Sequence, residues 1–214
     1  MAEIGLFPLE LVLLPTERVP LHIFEPRYKE LVGECLAEET EFGIVLADDD
    51  GQRQVGTRAA VVKVLQVFDD GRLNIVVEGR ERFRVVELTE GRSFTTGEVE
   101  PVEDDVDPPA SEEIEQAVEL FGRLVEVAEA EVDRPDPASE ALSFELAARV
   151  DFGPGLKQEI LELRSERERI VRIAELLEHA VRGVTLEKAV RERASGNGRV
   201  TPQPTEPGPG ADPG

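Results

Sequence analysis

Up to about residue 102 the apolar positions come in short runs closed by turn residues; beyond about residue 112 they recur every three or four positions. The first pattern predicts strands and the second helices. Leu6-Phe7-Pro8-Leu9, Val12-Leu13-Leu14-Pro15 and Pro20-Leu21-His22-Ile23-Phe24 are each marked by proline and read as short strands. Pro26 suits the first turn of a helix, where its missing N–H is not needed, and predicts a helix from about Pro26 to Glu38. The β-branched runs Phe42 to Leu46, Ala59 to Phe68 and Leu73 to Val77 predict further strands. Asp69-Asp70-Gly71-Arg72 joins the last two, and its glycine supplies the positive φ of a tight hairpin. Gly79, followed by Arg82-Phe83-Arg84-Val85-Val86, marks a bulge or bend where one strand runs into the next. Phe94 to Val102 alternates and closes the sheet, which is read as mostly antiparallel with one crossing helix.

The character changes near Glu103. Asp104, Asp105, Asp107, Pro108 and Pro109 form a solvated linker, and Ser111 offers a cap for a helix from about Glu112 to Val132. Ile114, Ala117, Val118, Phe121, Leu124, Val125 and Ala128 share one face of it. Pro135 and Pro137 end that helix; a second is expected from about Ser139 to Val150, broken by Gly153-Pro154-Gly155. A single helix from Leu156 to Arg182 would set Arg167 in an apolar seam. Ser165 and Glu168 have the spacing of a capping box, so two helices with a break near Arg164 fit better. The face from Ile170 to Val184 is expected to pack within the chain. The organisation expected is therefore a β region over 1–103, a helical region over 110–193, and a disordered tail rich in glycine and proline over 195–214.

Charge narrows the function classes. The 214 residues carry a formal net charge of -22 and a pI near 4.5, which disfavours nucleic acid and anionic membrane surfaces as partners. The basic residues are interleaved with acids, as in Arg80-Glu81-Arg82. Between Glu98 and Glu140 there are 16 acids against two bases, Arg123 and Arg134, so this stretch supplies -14 of the total. A lone cysteine, Cys35, excludes an intrachain disulfide, fits a reducing compartment and reads as a buried small residue. No basic leader opens the chain, and no run approaches the roughly 18 to 20 apolar residues of a membrane span; a cytoplasmic location is expected.

Few side chains offer chemistry. His22 and His179 are the only histidines, and no spacing brings them together with carboxylates or the cysteine as metal ligands or a catalytic group. Glu25 and Arg27 flank Pro26 at a strand-to-helix junction, where they serve as a partner-contact pair or fix local geometry. Tyr28 is expected to pack its ring under the sheet and keep its hydroxyl hydrated. Strand alternation predicts Arg80, Arg82 and Arg84 on one face, either as a basic stripe for an acidic partner or as a solvated face paired with neighbouring acids. These six are the candidate partner-contact residues; no catalytic, metal or cofactor residue is assigned.

The ordered motifs carry a resemblance. Leu6-Phe7-Pro8-Leu9, the box Phe24-Glu25-Pro26-Arg27-Tyr28, Gly56-Thr57-Arg58-Ala59, Asp70-Gly71-Arg72 and Val77-Glu78-Gly79-Arg80-Glu81-Arg82-Phe83 resemble, in order and spacing, the Lon (protease La) N-terminal substrate-binding domain. Lys157 to Glu162 and Glu168 to Glu178 extend the likeness through about residue 182. The resemblance implies an α+β fold: a PUA-like six-stranded antiparallel β pseudo-barrel followed by a helical bundle. It also implies recognition of unfolded or degron-bearing polypeptide, with a separate ATP-dependent protease as a further partner. The sequence contains no Gly-Lys pair and so no G-x-x-x-x-G-K-[ST] loop, and none of its four lysines lies in a segment like the protease motif. A non-enzymatic binding module is therefore expected, without cofactor. The alternatives are an RNA-binding protein, as some PUA-like barrels are, and an unrecognised hydrolase.

Overall fold

The computed structural model describes residues 2–196, and the tail expected to be disordered lies almost wholly outside them. The β elements are β1 (Ala2–Leu9), β2 (Arg18–Ile23), β3 (Phe42–Asp48), β4 (Gly51–Val67), β5 (Leu73–Thr89) and β6 (Thr96–Pro101), with α1 (Pro26–Glu38) inserted between β2 and β3. The sheet order is β2-β5-β4-β3-β1-β6, and a β5–β6 pairing closes the ring. Each long strand is used twice. The second half of β5 meets β6 from Phe83 to Thr89, while its first half meets β2 from Leu73 to Glu78. β4 meets β3 only up to Ala59, so its second half projects as an arm beside β5 and β2.

The sheet is not wholly antiparallel. β1 and β3 run parallel, Leu6 beside Gly43 and Leu9 beside Leu46. A parallel pair needs a long crossover, and β2 with α1 provides it. A second departure occurs in β5, where Thr57 pairs with Arg82 and Ala59 with Gly79, so Arg80 and Glu81 together oppose Arg58. This bulge reverses the facing of the strand. Ile75 and Val77 pack with α1 residues Tyr28, Leu31 and Val32, whereas Phe83 and Val85 fill the barrel interior with Ile4, Leu6, Val45 and Val99. The Phe83 ring has room because Gly43 and Gly56 face it: a Cβ there would stand 2.6 and 2.9 Å from its Cζ. Gly79 is required for a different reason, since its Cβ would meet the Leu14 carbonyl oxygen at 2.0 Å.

The helices are α2 (Ser111–Ala128), α3 (Leu142–Ala148), α4 (Gly153–Glu162) and α5 (Glu166–Gly196). Ala110, not Ser111, stands at the α2 N-cap, and the Glu113 carboxylate accepts its N–H at 2.8 Å. α2 ends early because Glu129 turns left-handed, with φ 53°. Gly153-Pro154-Gly155 opens α4 as well as separating it from α3: proline is accommodated in a first turn, and Gly153 supplies φ +75° at the entry. The break before α5 is capped as expected, Ser165 Oγ accepting the Glu168 N–H at 3.1 Å. Ile170, Ile173, Ala174, Leu177 and Val181 are buried against α2 and α3 residues including Phe121, Leu124 and Phe144. That core reaches the outside of the barrel through Val12, Leu14, Leu46 and Val55.

Candidate functional site

The six expected contact residues do not form one surface. Arg27 Nε donates to Glu25 Oε2 at 2.9 Å across Pro26, and the Arg27 guanidinium lies over the Tyr28 ring at 4.5 Å. The Tyr28 ring is buried and stacks on Phe7 with centroids 3.9 Å apart. Burial is the main influence on its hydroxyl and pushes its pKa above the usual value, against the pull of Arg27. This cluster fixes the start of α1.

The bulge also separates the three arginines. Arg80 is exposed and pairs with Glu78 at 2.7 Å, whereas Arg82 is buried on the face covered by the helices, with Arg84 half-buried beyond it. The expectation of a shared basic face fails because alternation is lost at Arg80-Glu81. Arg82 Nη1 donates to the carbonyls of Leu161 and Leu163, both at 2.7 Å, and Nη2 to Asp104. Arg169 from α5 reaches the same carboxylate at 2.5 Å and Glu166 at 2.7 Å, with the Phe144 ring 4.3 Å beneath its guanidinium. Burial raises the Asp104 pKa, but Arg169 and Arg82 outweigh it and hold the carboxyl below its ordinary value. Burial likewise lowers Arg82, and Asp104 offsets this only in part. Arg169 is held above the usual value because its bonds to Asp104 and Glu166 outweigh burial. These groups are committed to joining barrel, linker and helices.

Several apolar side chains are left uncovered on the arm. β4 carries two further bulges, so that Val61, Val64 and the terminal Val67 oppose Val77, Ile75 and Leu73 while Val62 and Leu65 are the extra residues. Val61 still packs against the α1 core, and Ile75 and Leu73 of the partner strand do so too, but on β4 itself Leu65 is 51% and Val67 67% exposed. Val62 and Val64 are exposed on the same arm, and Phe24, at the end of β2, is 58% exposed. Phe24 stacks on His22 at 5.9 Å, and the edge of Phe68 approaches the same imidazole at 6.0 Å. His22 Nδ1 lies 2.6 Å from Asn74 Oδ1, forming a polar rung across β2 and β5.

The hairpin tip is held firmly. Gly71 adopts φ +78°, Phe68 N–H donates to the Arg72 carbonyl at 2.9 Å, and Lys29 Nζ donates to the Asp70 carbonyl at 2.9 Å, tying the turn to α1. The Asp70 carboxyl sits below its usual pKa, first because it accepts the Arg72 backbone N–H and then because it pairs with the Arg72 side chain. Both edges of the arm are poor templates for strand addition: β2 carries Pro20 and β4 the two bulges. What the arm leaves open is therefore its side chains and not a regular backbone edge. Sequence reasoning identified these strands but not their exposed residues. The available signal was length, since the run from Ala59 outlasts the partner strand β3.

Among the described residues no group of three or more His, Cys, Asp or Glu side chains is placed to hold a metal ion, and no helix is long and apolar enough to cross a membrane. Cys35 is buried in α1, and burial pushes its thiol pKa up, away from the range of a reactive thiolate.

Comparisons with known proteins agree with the architecture. The model of the ATP-dependent protease La (LON) substrate-binding domain matches residues 3–179. Lon proteases of Anaeromyxobacter dehalogenans and Paraburkholderia phytofirmans are 26% and 27% identical over 85% and 86% of this chain. The matches cover 25% of each of those proteins, so the chain spans about a quarter of the length of these relatives. The crystal structure of a Lon N-terminal domain protein from Xanthomonas campestris superposes with a TM-score of 0.64 at 28% identity, covering 79% of this chain and 95% of that one. The N-terminal domain of the Mycobacterium avium complex Lon protease shares the fold, with a TM-score of 0.63 at 17% identity over 84% of this chain and 98% of that one. The ordered motifs, the closed sheet with its arm and these matches have one conclusion: the chain belongs to the Lon substrate-binding domain family.

Proposed function

We propose that this chain binds exposed apolar stretches of partly unfolded or degron-bearing polypeptide on the β4–β5 arm, without catalysing a reaction itself. In this reading it acts as an adaptor or regulator for proteolysis carried out by a separate ATP-dependent protease. The observation that carries the reading is the set of five exposed apolar residues, Phe24, Val62, Val64, Leu65 and Val67, gathered on one projecting arm. A gathering of this kind marks an interaction surface; the other exposed apolar side chains, among them Leu36, Val86, Leu88, Val171, Leu186 and Val190, lie outside the arm on α1, the far half of β5 and α5. Burying an aliphatic or aromatic side chain completely is worth about 1.5–3 kcal/mol. These are already partly covered, so each contributes about 1 kcal/mol before the cost of ordering the client is deducted. That scale gives weak, reversible capture.

The test is fluorescence anisotropy with a reduced, unfolded polypeptide, the same protein folded, and a structured RNA. The unfolded chain is expected to bind selectively, and Val64→Thr/Leu65→Ser/Val67→Ser is expected to weaken binding by about tenfold or more, from roughly 2 kcal/mol of lost burial. Unchanged capture by a folded triple variant would remove the arm from the mechanism. Salt-sensitive RNA binding would favour a nucleic-acid role instead.

A further inference from the structure

The most acidic stretch of the chain also encloses an apolar groove. Ile114, Val118 and Gly122 follow one another along α2 and, with Arg134 and Pro137, line a hollow of about 390 Å³. A second hollow of about 470 Å³ shares Ile114 and Pro137 and adds Pro108, Pro109 and Leu142. Glu115, Glu119 and Glu126 stand exposed around the first. Neighbouring Glu113 and Glu129 are paired with Arg167 and Lys188, but these three have no ion-pair partner among the described residues. Two cations already line it, Arg123 and Arg134; a Cβ at Gly122 would stand 3.2 Å from Arg134 Nη2, so this guanidinium rests over that glycine. The absence of a side chain at Gly122 makes room for it.

We infer that this groove binds a short, extended polypeptide segment in which cationic and aliphatic residues alternate. Apolar side chains of the segment fill the two hollows on either side of Ile114, and its cations meet the carboxylates along α2, as Arg134 does from within the chain. The geometry sets the length. From Ile114 to Gly122 the helix rises about 12 Å, at ~1.5 Å per residue, which is the reach of about four residues of extended chain. The surface is distinct from the arm: no residue of the arm lines either hollow, and in the first hollow Glu115, Glu119 and Glu126 outnumber Arg123 and Arg134. The inference does not depend on the arm binding anything.

Anisotropy of a labelled hexapeptide of alternating arginine and leucine tests it, beside two peptides in which glutamate replaces arginine or serine replaces leucine. The alternating peptide is expected to bind at least tenfold more tightly than either and to weaken as salt is raised. Glu115→Lys/Glu119→Lys/Glu126→Lys is expected to lower its affinity at least tenfold. Reversal of three exposed acids elsewhere, Glu10→Lys/Glu38→Lys/Glu87→Lys, changes net charge equally and is expected to change affinity less than about threefold. Equal loss in both triple variants, equal binding of the serine peptide, or no binding of the alternating peptide to the wild-type chain each overturns the inference. Loss on arm substitution overturns it as well, because the arm would then be the site.

Discussion

Asp104→Asn isolates the energetics of the barrel-to-helix junction. The change is isosteric and removes the one carboxylate shared by Arg82 and Arg169. Arg169 retains Glu166 at 2.7 Å, but Arg82 is left with only the carbonyls of Leu161 and Leu163. Stranding a buried charge costs about 3–5 kcal/mol. The Asp104 side chain is 37% exposed, and water compensates part of that loss, so the expected cost is about 2–3 kcal/mol. In urea unfolding followed by circular dichroism, with a slope of about 2 kcal/mol/M, the midpoint should fall by about 1–1.5 M. The same substitution in an Arg82→Met background should cost at least ~1 kcal/mol less, because no stranded guanidinium remains there. The pH dependence has a definite sign. A carboxyl held below its ordinary pKa in the folded state contributes stability that is complete above the unfolded pKa and is lost as pH falls through the folded value. Wild type and Asp104→Asn should therefore differ most above the ordinary carboxylate range and converge in acid. A midpoint shift below ~0.3 M, or equal cost in both backgrounds, would refute the reasoning.

Three other outcomes follow from the packing. Gly79→Ala sets a Cβ 2.0 Å from the Leu14 carbonyl oxygen, a backbone atom with no rotamer to yield, and should cost about 3 kcal/mol or more by thermal unfolding; a change in stability within error would mean that the β1–β2 connection is loose. Leu177→Ala in the fully buried α2–α5 interface should cost about 2–5 kcal/mol in the same assay. Cys35 should react with a maleimide at least ~10-fold more slowly in the native protein than in urea, since its thiol is buried and its pKa raised; prompt labelling of native protein would contradict that burial.

The local rules were legible where a residue's neighbours in sequence decide its conformation. Two of the three proline-marked runs became β1 and β2, while Val12-Leu13-Leu14 forms no strand and instead buries its side chains as part of the connection between them; Asp70-Gly71 became a hairpin, and Ser165 with Glu168 set the break before α5. What escaped depends on contacts between distant residues. Alternation says that β1 and β3 are strands but not that they pair in parallel. Gly79 signalled an irregularity, yet only the pairing with β4 assigns the extra residue to Arg80-Glu81 and sends Arg82 towards carbonyls about 80 positions away. The apolar composition of the arm was plain, whereas its exposure follows from where β3 stops pairing with β4. Gly153-Pro154-Gly155 shows a local signal with two meanings, since the residues that halt one helix can open the next.

The blunted edges of the arm bear on the proposed capture. With Pro20 on β2 and bulged residues at Val62 and Leu65 on β4, the arm offers adhesion without a continuous row of amides to copy. In the proposed binding mode a polypeptide would gain shelter for its apolar side chains there while its backbone kept its own conformational choices. Such a grip would permit release in any shape, including back to folding, and the same edges deny the protein's own copies the regular ladder from which fibrils grow.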